Sequence, residues 1–139
     1  MKQAQTTITI KTNGQGLVEM TDVVVSWVSA QKIGVGLLTV FCRHTSASLT
    51  IQENADPDVQ RDLEDFFSRT VPEGRDLYRH SSEGPDDMPA HIRGALTDTA
   101  LSIPVADGRP RLGTWQGVFL FEHRRHSHRR EVVLHLVGE

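Results

Sequence analysis

Three histidines far apart in the chain, His44, His80 and His91, are the residues whose types and settings could do chemistry. His44 closes an apolar run, His80 sits in a long polar stretch, and His91 falls one turn into an expected helix, facing inward. Three neutral imidazoles brought together would form an open site suited to zinc or a similar divalent transition metal. Their spacing matches no short zinc signature, so the expectation rests on convergence in space. Glu53, Asn54, Asp56, Glu83, Asp86 and Asp87 flank the histidines. Some of these could orient an imidazole or act as general base, Glu53 and Asn54 foremost. Asp56 and Asp87 read more simply as helix caps. Thr45 and Ser46 follow His44 directly, at a strand end where a rigid scaffold can hold a site.

Trp115 and Gln116 interrupt a strand after Gly113. An indole beside an amide can stack and orient a flat heterocycle, and a core tryptophan with its N–H satisfied is an equal alternative. Cys42 lies two residues before His44, so both project to one face of a strand. A Cys–His nucleophile pair is conceivable there, but a small buried hydrophobe is the expected role of such a cysteine. His123 to Arg130 is densely basic. Between two strands it reads as an exposed hairpin tip, or as an anion patch in which Arg124 and Arg125 bind a phosphate-bearing small molecule.

The elements that must position these residues follow from pattern. At 139 residues with 37% hydrophobic and 24% charged residues, the chain reads as one domain over 1–139. A formal net charge of −3 argues against nucleic-acid binding. A single cysteine excludes an internal disulfide and fits a reducing, cytoplasmic setting. The start lacks an apolar signal-like run and no stretch is long enough to span a membrane, so no membrane partner is expected.

Thr6 to Lys11 alternates like a half-buried strand, and Asn13–Gly16 reads as a turn. A helix is expected from Thr21 as N-cap, burying Met20, Val24, Trp27 and Val28, with Gly34 as its stop. Val35 to Cys42 is nearly all apolar, which predicts a central strand covered on both faces. Ser48 to Glu53 alternates as a second strand. Asp56–Pro57 opens a helix whose stripe of Val59, Leu63, Phe66 and Phe67 is expected to be buried. Arg75 to Pro89 is a long polar loop, a length often associated with function. A helix carrying Met88, His91, Ile92, Ala95 and Leu96 on one face follows it. Leu101–Val105, Leu112–Glu122 and Glu131–Val137 are strands, with a hairpin turn at Ala106–Arg109. The fold class is therefore α+β, a mostly antiparallel sheet with helices packed on one face.

The segments HTSASLTIQENAD, YRHSSEGPDDMPAHI and GTWQGVFLFEH, with the closing strand, resemble the YjbQ family, also called secondary thiamine-phosphate synthases. The resemblance runs across nearly the whole chain in the same order. It implies a homotrimer with sites near subunit boundaries, built from His44, Thr45, Ser46, Asn54, His80, His91, Trp115 and Gln116. It also implies an activity: joining a pyrimidine methyl pyrophosphate to a thiazole phosphate, with release of pyrophosphate. Many relatives have a short turn where this chain has its Arg/His-rich tip. Two further readings stand beside a low-efficiency transferase of that kind. One is a hydrolase using a divalent metal, zinc or magnesium; the other is a non-catalytic trimeric binder of a small anionic metabolite.

Overall fold

The structure, a computed structural model, describes residues 1–74 and 76–139. Arg75, where the long loop begins, lies outside the described residues. Among the described residues eight strands and three helices follow one another as β1 (Lys2–Lys11), β2 (Gly16–Glu19), α1 (Thr21–Ala30), β3 (Gly36–Cys42), β4 (Ala47–Glu53), α2 (Pro57–Thr70), α3 (Asp87–Leu96), β5 (Ala100–Ala106), β6 (Arg109–Pro110), β7 (Gln116–Glu122) and β8 (Arg129–Gly138). All strand pairs are antiparallel. They form two sheets, one of five strands in the order β1-β8-β3-β5-β6 and one of three in the order β2-β7-β4. The fold is α+β, as the pattern of elements requires.

The core lies between the sheets. Leu38 and Val40 of β3, Leu134 and Leu136 of β8, Leu49 of β4 and Leu120 of β7 meet there with Met20 and with Val24 and Val28 of α1. The outer face of the smaller sheet receives α2 against β2 and α3 against β4. There the Phe67 ring of α2 meets Phe121 of β7 edge-on at 5.3 Å.

Several local expectations change. β3 is central, between β5 and β8, but it is covered on one face only. Leu38, Val40 and Cys42 are buried, whereas Leu37 and Phe41 remain 45% and 44% exposed on the outer face. The strand covered on both faces is β7, whose residues from Gly117 to Glu122 are all buried. Leu112–Thr114 stays outside it, and the strand starts at Gln116. The stripe of α2 is only partly covered, and no residue of that helix is fully buried. Thr21 does not cap α1: Met20 is the N-cap and the Thr21 hydroxyl donates to Glu19. The residue that leaves the helix in the left-handed region is Lys32, at φ 59°, not Gly34. The cap at Asp56 and the turn at Ala106–Arg109 form as expected. The Asp56 carboxylate accepts from the Asp58 N–H at 2.9 Å. Asp107 and Gly108 both take positive φ, as a two-residue hairpin turn needs.

Candidate metal centre at the start of α3

Asp87 opens α3 and His91 lies four residues on, so both side chains stand on one helical face. His80 approaches from the preceding loop. Its Nε2 lies 2.7 Å from Asp87 Oδ2, and His91 Nε2 lies 3.2 Å from the same oxygen. The two rings are 5.4 Å apart between centroids. One ligand-capable atom from each of the three residues lies within 4.8 Å of the others. The sequence sets Asp87 among the carboxylates flanking the histidines but favours a helix cap for it. The structure corrects this: Asp86 is the N-cap, without a side-chain cap bond, and the Asp87 carboxylate turns to the histidines and to Arg124. The Asp87-x-x-x-His91 spacing was the sequence signal for it.

Hydrogen bonding sets the state of these groups. His91 Nδ1 faces the Thr45 carbonyl at 3.1 Å, an acceptor that requires Nδ1 to carry a proton. That leaves Nε2 as the His91 atom facing the cluster, the arrangement seen around ligating imidazoles. Burial alone would raise the Asp87 carboxyl. The hydrogen bond from His80, the field of His91 and the Arg124 guanidinium hold it below the ordinary carboxylate range. The separations also suit a small ion. Ligands about 2.0–2.1 Å from a tetrahedral zinc sit about 3.3 Å from each other; the His91–Asp87 separation of 3.2 Å matches this, and the 2.7 Å His80–Asp87 hydrogen bond would open slightly to admit an ion.

His44 is nearby but is not a member of this group. Its Nε2 accepts the Glu131 N–H at 2.8 Å, which occupies the lone pair a metal would need. Burial, with the charge of Arg130, depresses its basicity. His44 and His91 line one cleft of about 360 Å³ together with Thr45, Ala47, Gly94 and Ala95. A Cβ on Gly94 would come within 3.2 Å of the Thr45 carbonyl oxygen, so a glycine there lets α3 approach β4. Ser46 is drawn inward, its hydroxyl accepting from Arg130 at 3.1 Å.

The other expected site residues lie elsewhere in the chain. Glu53 and Asn54 end β4, and Gln116, paired with Glu53, begins β7. Ala47 and Glu53 are the two ends of the seven-residue β4, about 20 Å apart at the usual rise. Asn54 donates to Glu19 Oε2 at 2.8 Å, the Gln116 side-chain oxygen accepts from Gly113 N at 2.7 Å, and Trp115 is 64% exposed. Arg125 pairs with Glu73, and Arg124 is held by carboxylates. Cys42 is a buried thiol bonded to the Ala47 carbonyl, with burial pushing its pKa up, as its reading as a hydrophobe expects.

The basic stretch is only partly a tip. Arg130 is buried on the buried Glu122, which also accepts from Thr12 at 2.6 Å. Burial opposes ionisation of Glu122, but Arg130, with the hydrogen bonds from Thr12 and the Arg124 N–H, holds its carboxyl below the ordinary range. His123 is fully buried, with Nε2 2.8 Å from the Ser48 hydroxyl. Burial, reinforced by Arg93, lowers its pKa to about 3.

The two antiparallel sheets, three helices and His–Asp–His cluster define an α+β protein with a candidate metal centre. Residues 6–139 match the family model described as UPF0047 protein YjbQ-like. UPF0047 protein sll1880 of Synechocystis is 55% identical over 138 residues, 99% of this chain and 94% of that protein. UPF0047 protein YjbQ of Escherichia coli O157:H7 is 43% identical, covering 97% and 98%. Hypothetical protein APE1520 of Aeropyrum pernix superposes with a TM-score of 0.89 at 28% identity, covering 98% of this chain and 99% of that one. The chain belongs to the YjbQ (UPF0047) family. Among the described residues no helix is long and apolar enough to cross a membrane.

Proposed function

We propose that the chain is a metal-dependent enzyme acting on a small phosphate-bearing substrate, with His80, Asp87 and His91 as the residues that hold a divalent cation. The observation that carries this reading is the meeting of both imidazole Nε2 atoms at Asp87 Oδ2, with His91 Nδ1 tied to Thr45. Two nitrogens and one oxygen favour zinc or a neighbouring transition metal over magnesium. A cation bound there supplies Lewis acidity and leaves coordination positions for substrate. His44 faces the adjoining cleft with Nε2 engaged, so its neutral ring keeps an Nδ1–H to donate to a substrate oxygen. Hydrolysis of a phosphate ester is the reaction this chain's own donor set supports best.

The second reading is the transferase that joins a pyrimidine methyl pyrophosphate to a thiazole phosphate. The exposed indole of Trp115 favours it, as a stacking surface for a heterocycle. That wall lies at the opposite end of β4 from the histidines, so this reading needs a second copy to bring the halves together. A homotrimer is proposed with it, supported by the exposed Leu37, Phe41 and Val35 on the outer sheet face. The free, buried thiol of Cys42 fits a cytoplasmic setting.

The test uses protein purified without a histidine tag and reconstituted with zinc, manganese or magnesium. p-Nitrophenyl phosphate hydrolysis, lost in His91→Ala, supports the hydrolytic reading. Formation of thiamine phosphate from the two heterocyclic phosphates, lost in Trp115→Ala, supports the second. Neither activity from folded, metal-loaded protein refutes both.

A further inference from the structure

We infer that Arg124 is a positioning residue of the His80–Asp87–His91 centre, a clamp that fixes the carboxylate between the two histidines. The inference rests on the reading of that cluster as a metal centre, but its geometry stands independently. Arg124 follows the end of β7 and reaches across to the start of α3. Its Nη1 donates to Asp87 Oδ1 at 2.8 Å and its Nε to Asp86 Oδ2 at 3.0 Å. Nη2 donates to the Glu83 carbonyl at 2.9 Å, with a longer contact of 3.5 Å to Asp86 Oδ1. The Arg125 N–H adds a bond to Asp86 Oδ2 at 2.9 Å, and the Arg124 N–H one to Glu122 Oε2 at 3.1 Å. The Arg124 side chain is only 17% exposed.

Each contact has a consequence at the cluster. Asp87 has two oxygens. With Oδ1 taken by Arg124, only Oδ2 is left for His80 and His91, so the carboxylate offers one oxygen in a fixed orientation. Holding Asp86 and the Glu83 carbonyl pins the segment leading into α3, downstream of His80. A planar guanidinium suits this because its donors diverge in a fixed fork that reaches the acceptors from separate sides, whereas a lysine ammonium donates from a single point. The same contacts argue against Arg124 as a substrate-phosphate ligand, since an incoming anion would have to displace two carboxylates. The basic stretch before β8 thus serves the centre through its carboxylate.

The test compares the full-length chain with Arg124→Met and Arg124→Lys. Zinc affinity is measured by competition with a chromogenic chelator. Imidazole nitrogen NMR of metal-free protein reads the tautomers and hydrogen bonds of His80 and His91. Arg124→Met is expected to weaken zinc binding about 10- to 100-fold, as loss of a partner behind a ligand does. It is also expected to shift both ring spectra. Arg124→Lys should recover part of the affinity, because it restores charge without the fork. Zinc affinity within about twofold of the parent overturns the inference, with twofold taken as small against that expected loss. If the parent binds no zinc yet Arg124→Met still shifts both rings, the metal reading falls and the clamp stands. Unmoved rings without zinc binding overturn both. Should Arg124→Met fail to fold, Asp86→Asn loosens the clamp while leaving Arg124 in place. It should weaken zinc binding severalfold, and an unchanged affinity overturns the inference.

Discussion

Replacing His123 with glutamine should flatten the acid side of the stability curve. His123 is fully buried, and burial with the nearby Arg93 lowers its pKa from the ordinary 6.5 to about 3. In the folded chain it therefore stays neutral where the unfolded chain binds a proton. Stability is full above pH 6.5 and is lost as pH falls toward 3. One proton taken up by the unfolded state alone costs about 1.4 kcal/mol per pH unit, so His123 should remove about 2 kcal/mol between about pH 7.5 and pH 5. His44, Asp86, Asp87 and Glu122 are also depressed and act in the same direction. They are common to both proteins, so the difference between the two curves isolates residue 123. Glutamine keeps a hydrogen-bonding group for the Ser48 hydroxyl, which His123 meets at 2.8 Å. Urea unfolding at fixed protein concentration, followed by circular dichroism at a series of pH values, reads the effect. Parallel curves for His123→Gln and its parent would refute the reasoning, because the buried imidazole would then be protonating in place.

Two further outcomes follow from single contacts. Asp56→Ala removes the carboxylate that caps α2 through the Asp58 N–H, and should cost about 1 kcal/mol in the same unfolding assay; no loss would show that the helix start is held by other means. Phe41→Asp places a charge on the exposed outer face of β3. If that face associates with further copies, sedimentation should show the parent at three times 15.5 kDa and the variant at 15.5 kDa; a parent that sediments as a monomer contradicts the trimer.

Legibility in the sequence followed how local the physics was. The Asp56–Pro57 start of α2, the Asp107–Gly108 turn and the alternation of β8 depend on near neighbours, and each appears where the sequence puts it. Coverage of a strand depends on what packs over it, and here pattern misled. The apolar run of β3 read as doubly covered, yet Leu37 and Phe41 face outward, while β7 is the strand enclosed by core and helices. The candidate centre was half visible. His80 and His91 stood out by setting and meet in space. Asp87 was hidden by its value as a cap, and Arg124 by the ordinary meaning of a basic hairpin tip. Asp87 was signalled only by its four-residue spacing to His91, whereas the role of Arg124 depends on a contact across 37 residues, which no local pattern reports. The same holds for the Glu122–Arg130 pair, whose burial is set by the closing of two sheets.

The most direct measurement is cobalt(II) titration of untagged protein, followed by visible spectroscopy and metal analysis. The account predicts one ion per chain with the absorption of a nitrogen- and oxygen-ligated site, lost in His91→Ala and in Asp87→Ala but kept in His135→Ala, a histidine bonded to Gln5 on the other sheet. No bound ion, or binding that survives both His91→Ala and Asp87→Ala, would contradict it.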